Sequence, residues 1–98
     1  MKKFRKVFVT EPAHDVTKLK DYAEDIRFLT SGYEPYNELF ELVLRALYDF
    51  NPLTDAILLM GRSMANAMVG LVIGENYSES PYSFLIYNNG DYQVVEVP

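Results

Sequence analysis

Ninety-eight residues with 49% apolar and 14% aromatic side chains supply one hydrophobic core and leave no material for a second domain. A charged fraction of 23% is too low for a disordered chain, and the absence of cysteine excludes both a disulfide framework and a thiolate metal site. Fourteen acidic against nine basic residues give a net charge of -5, and four of the nine basic residues fall in the first six positions, so a phosphate-neutralising stripe has no material elsewhere and general nucleic-acid binding is disfavoured.

The opening MKKFRK has the charge of a signal-peptide start, but Thr10, Glu11 and Pro12 cut the apolar run after Val7, Phe8 and Val9, which argues against an export signal. The apolar stretch over residues 56–73 is broken by Arg62, Ser63 and Asn66, so no membrane span is expected. The expected compartment is a reducing cytoplasm.

Residues 4–10 read as a first strand around Val7, Phe8 and Val9, stopped by Glu11-Pro12. Asp15 is placed to cap a short helix over 16–24, where Val16, Leu19, Tyr22 and Ala23 keep helical spacing. A second strand follows over 26–30 and ends at Ser31-Gly32. Pro35 suits the first turn of a helix running to about residue 49, whose apolar face carries Tyr36, Leu39, Phe40, Val43, Leu44, Leu47 and Tyr48.

The most distinctive stretch is DAILLMGRSMANAMVGLVIG. Residues 56–60 are uninterrupted apolar sequence, as a strand covered on both faces requires, and Gly61 then turns the chain into a helix for which Ser63 is the expected cap. Ala65, Ala67, Gly70 and Gly74 lack bulk, and close approach to the sheet or to another chain is the expected reward for two helix glycines. A polar loop is expected over 75–81. Residues 83–87 and 92–97 then flank Asn88-Asn89-Gly90-Asp91, a type I′ hairpin signal.

The element order βαβαβα followed by a β-hairpin implies the α/β class: a small three-layer, Rossmann-like or flavodoxin-like sheet with strand order 2-1-3-4, parallel strands joined by right-handed crossovers, and an antiparallel strand at one edge. Ligands of such sheets bind at the carboxyl ends of the strands, where the first and third loops face each other. The candidate ligand-binding residues there are Thr10 and His14 from the first loop and Gly61, Arg62 and Ser63 from the third, with the N–H groups opening the helix and the Arg62 charge suited to a small anionic or nucleotide-like ligand.

The bland readings stand beside these. Gly61-Arg62-Ser63 lacks the glycines and lysine of a phosphate loop, and His14 beside Asp15 fits a solvated loop. One histidine without cysteine leaves only carboxylates for a metal, and neither Ser31 nor Ser63 has a nucleophile-elbow context. No cofactor is implied. Met60, Met64 and Met68 fit core filling, and the eight tyrosines suit a core margin or a protein interface.

The first strand, HDVTKLKDYAEDIRFLT, DAILLMG with its small-residue helix, and the hairpin LIYNNGDYQVVEV together resemble small, uncharacterised α/β proteins encoded by bacteriophages. The resemblance spans most of the chain in order, and the polar ENYSESPY loop departs from it. It implies a compact Rossmann-like accessory protein and transfers no residue role. The leading functional expectation is a non-enzymatic binding module for a small anionic ligand. The runner-up is an interaction protein that binds a protein partner or forms a homo-oligomer through its tyrosines and hairpin edge, and an enzyme ranks third.

Overall fold

A computed structural model of the protein describes residues 3–77 and 81–98. Five strands, β1 (Phe4–Val9), β2 (Ala23–Phe28), β3 (Asp55–Leu58), β4 (Tyr82–Asn88) and β5 (Asp91–Val97), form one mixed sheet in the order β2-β1-β3-β4-β5. The first four run parallel and β5 returns antiparallel to β4. Two α-helices, α1 (Leu39–Ala46) and α2 (Ser63–Asn76), connect β2 to β3 and β3 to β4. The class is α/β, and among the described residues no helix is long and apolar enough to cross a membrane.

Alternation along the central strands splits the core in two. Phe8 and Ile57 point to the face covered by both α-helices, through Val43 and Leu47 of α1 and Val69, Val72 and Ile73 of α2. Val7, Val9, Ala56 and Leu58 point to the opposite face, where Leu19, Leu85 and Tyr92 cover them. The continuous apolar run of the third strand therefore serves two cores at once, as its lack of alternation requires.

The helix expected over 16–24 is instead a single 3-10 segment, Thr17–Asp21, and β2 starts at Ala23 rather than at residue 26. Phe4 pairs with Ala23 and its N–H donates to the Tyr22 carbonyl at 2.8 Å, so the last turn of the expected helix is drawn into the sheet instead. Val16, not Asp15, holds the cap position of this segment; Asp15 stands one residue earlier, its Oδ1 accepting the Thr17 N–H at 2.9 Å. The second face is consequently covered by this segment and by the β4–β5 hairpin, which curls over it: the Tyr22 hydroxyl donates to Asp91 Oδ1 at 2.7 Å and Lys18 Nζ to the Gly90 carbonyl at 2.9 Å.

The remaining expectations shift in detail. The helix predicted over 35–49 is a 3-10 turn, Tyr36–Glu38, leading into the eight residues of α1. Ser63 is the first residue of α2 rather than its cap, because Arg62 holds the cap position with extended backbone. Gly70 and Gly74 face open space instead of a close neighbour, and α2 meets the core through Ala65, Val69, Val72 and Ile73. The polar loop expected over 75–81 begins later, since α2 runs to Asn76, and residues 78–80 lie outside the described residues. Asn89 at φ 51° and Gly90 at φ 84° form the expected hairpin turn, both central residues taking the positive φ that a type I′ turn demands.

At the amino end of the sheet the buried Asp55 carboxylate organises the entry into β3. It accepts the Asn51 N–H at 2.8 Å, both Arg5 donors at 3.3 Å and the Thr54 hydroxyl at 3.1 Å, which ties the loop after α1 to the first strand. The buried Lys6 reaches Asp49 on the helical face, and the Lys6 ammonium holds the Asp49 carboxyl below its ordinary range. Both ionised groups lie where desolvation would be costly for either alone.

Candidate functional site

The carboxyl ends of β1 and β3 stand side by side, and the chain leaves them in opposite directions. The loop after β3 is fixed by Gly61, whose φ of 87° favours glycine and whose missing Cβ would lie 2.6 Å from the Glu11 Cβ. This close approach brings the loop after β1 against the opening of α2, and what it delivers there is a carboxylate.

Glu11, 2% exposed, is the centre of this edge. Its Oε1 accepts the Arg62 backbone N–H at 2.7 Å and its Oε2 accepts Arg62 Nη2 at 2.6 Å, with Nε within 2.9 Å of Oε2 and 3.1 Å of Oε1. The Thr30 hydroxyl, at 2.8 Å from Oε2, adds the loop after β2. Hydrogen bonding by the Arg62 side chain leads the causes that hold the Glu11 carboxyl below its ordinary range, outweighing burial, and the same contact raises Arg62. The other Arg62 branch donates from Nη1 to the Glu34 carbonyl at 2.7 Å, and the guanidinium lies over the Tyr36 ring with its carbon 5.1 Å from the centroid. Burial opposes ionisation of Glu34, but its hydrogen bonds taken together, from the Ser31 N–H, its own N–H, the Ser31 side chain and the Gly32 N–H, hold the carboxyl below its ordinary range. One arginine thus locks three strand-end loops together.

The expected ligand residues are distributed as follows. Gly61 and Arg62 line a crevice of about 550 Å³ with Glu11, Pro12, Ser31 and Tyr33. Thr10 is fully buried beneath it, its carbonyl accepting the Thr30 N–H and competing with Glu11 Oε2 for the single Thr30 hydroxyl hydrogen, and its own hydroxyl has no partner among the described residues. Ser63 is exposed on the first turn of α2. His14 lies apart from the crevice. The place foreseen for an external anion, at the Arg62 side chain and the N–H of the helix cap, is filled by the protein's own Glu11 carboxylate. Among the described residues no three His, Cys, Asp or Glu side chains gather in a way that could hold a metal ion.

His14 belongs instead to a second feature of the same edge, an apolar groove of about 600 Å³ that it lines with Leu59, Ile86, Tyr87, Val95 and Val97. Its origin is topological. The two α-helices cover β1, β3 and the start of β4, where Tyr82 is part of the core and Phe84 packs against it. Toward the end of β4, and across on the outer strand β5, no third helix covers this face among the described residues, so Ile86 and Val97, the latter paired opposite Tyr82, stay 48% and 40% exposed. Leu59, expected to be buried within the third strand, is 44% exposed at the groove because β3 ends at Leu58. Residue spacing alone did not reveal this wall; the available signal was a hairpin rich in Ile, Val and Tyr.

No family model, curated protein or solved structure matches the chain, so the residues of this edge carry the functional reading by themselves.

Proposed function

We propose that the chain is an interaction module that binds a protein partner through the open β4–β5 face running from the carboxyl-terminal edge of a small doubly wound, flavodoxin-like sheet. The observation that carries this reading is the apolar groove of Leu59, Ile86, Tyr87, Val95 and Val97, left open where the helical layer stops. Tyr33 and Tyr36 stand exposed on the same edge, and tyrosines with apolar anchors are the usual material of protein interfaces. The Glu11–Arg62–Glu34 cluster supports the reading by making the neighbouring loops a fixed platform. It also weighs against a small anionic or nucleotide-like ligand, which would meet a carboxylate where it needs a cation.

The test is site-directed photocrosslinking in the producing cell. A photoreactive residue at position 97, in the groove, should yield one discrete protein adduct, while the same residue at the exposed Tyr48 at the end of α1 should not. Equal adducts from both positions, or none from position 97, would refute the groove as a partner site.

A further inference from the structure

The two edges of the sheet are not alike. β2, AEDIRF, carries Glu24, Asp25 and Arg27, and charges of this density discourage pairing with another strand. β5, DYQVVEV, offers three valines. In a two-residue hairpin the closing pair Asn88–Asp91 is hydrogen-bonded, so the alternation of antiparallel ladders turns the backbone N–H and C=O groups of Tyr92, Val94 and Glu96 away from β4. Tyr92 is covered: its N–H donates to Asp91 Oδ1 at 2.8 Å, and the Tyr22 hydroxyl, which donates to Asp91, stands 3.4 Å from its carbonyl. Val94 and Glu96 have no such cover among the described residues.

Charge selects the occupant. β5 itself carries Asp91 and Glu96 and no basic residue, and with Lys18 already at the hairpin tip beside Asp91, Glu96 is the charge left on the free edge. A second copy paired along β5 would bring another Glu96 to it, whereas a strand bearing lysine or arginine would neutralise it. Resting on the groove reading, we propose that β5 takes up an extended segment of a partner protein by strand addition, the segment alternating apolar and basic residues. Its backbone pairs with Val94 and Glu96. Its apolar side chains lie beside Val95 and Val97 at the rim of the groove, and its basic side chains lie on the other face beside Glu96.

The probe is a capped hexapeptide of alternating valine and lysine, titrated into the isotopically labelled full chain by NMR and calorimetry, with an alternating valine and glutamate peptide as control. Binding should shift the Val94 and Glu96 amides, and the glutamate peptide should bind at least roughly tenfold more weakly. Val94→Pro removes an outward N–H without breaking the ladder to β4, a position where edge strands tolerate proline, and should weaken binding by about tenfold or more. Glu96→Lys should reverse the preference between the two peptides. If Val94→Pro does not fold, the lysine peptide with alternate amides N-methylated, added to the unmodified chain, must lose binding. Undiminished binding to Val94→Pro, equal affinity for both peptides, or no binding of the lysine peptide overturns strand addition. Shifts confined to Leu59, Ile86 and Val97, unaffected by Val94→Pro, overturn it while leaving the groove reading intact. A concentration-dependent dimer without peptide, lost in Val94→Pro, assigns the edge to a second copy and also overturns it.

Discussion

Replacing Glu11 by glutamine tests whether this carboxylate holds the strand-end loops together. The substitution keeps the shape of the side chain but puts an NH2 group where Arg62 presents only donors, and it removes the charge that Arg62 pairs with. A hydrogen bond to a charged group contributes about 1.5 to 3 kcal/mol, and breaking a buried ion pair costs roughly 3 to 5 kcal/mol. Arg62 lies on the crevice wall and can be rehydrated, which places the expected loss at about 2 to 3 kcal/mol. At roughly 4 to 8 °C per kcal/mol for a domain of this size, the melting temperature at neutral pH should fall by about 10 to 20 °C. Acid supplies the second arm. The folded Glu11 carboxyl is held below its ordinary value of 4.5, so its stabilisation is complete above that pH and is lost as the pH falls through 4.5 toward the lower folded value. Glutamine does not titrate, so the gap between the two proteins should close over that window. Thermal melts by circular dichroism from neutral pH to about pH 3 measure both effects. A variant melting within about 2 °C of the unmodified protein at neutral pH, or a gap that persists unchanged in acid, would refute the reasoning.

Gly61→Ala forces a Cβ to within 2.6 Å of the Glu11 Cβ and strains a φ of 87°, so it should cost at least about 1 to 2 kcal/mol and lower the melting temperature by at least roughly 5 °C; an unchanged melt would show that the two loops do not need this approach. Leu58→Ala should cost about 2 to 5 kcal/mol in denaturant titration, because the side chain is 1% exposed, whereas Leu59→Ala should cost under about 1 kcal/mol. Equal losses would mean that β3 continues past Leu58. Asp55→Ala leaves the Asn51 N–H without its acceptor and should cost about 1 to 3 kcal/mol in the same assay; amide exchange at Asn51 that stays as slow as in the unmodified protein would contradict the role assigned to Asp55.

The sequence by itself determined the class and much of the strand layout. Val7-Phe8-Val9 and residues 56–58 of the apolar run are without alternation, which only strands covered on both faces tolerate, and Asn89-Gly90 carries its turn type in its own backbone freedom. These are local properties, and they survived folding. The tertiary structure decided the rest, because it depends on distances between segments far apart in the chain. The pairing of Phe4 with Ala23 drew the end of the expected first helix into β2, although its apolar spacing was helical. Leu59 and Leu58 are identical in type and adjacent, yet the end of β3 buries one and exposes the other. Arg62 read as a free cation on spacing alone. Only the approach of Glu11, allowed by the missing Cβ of Gly61 across 50 residues of sequence, turned it into the tie between loops, and only the end of the helical layer left the hairpin wall and the β5 edge open.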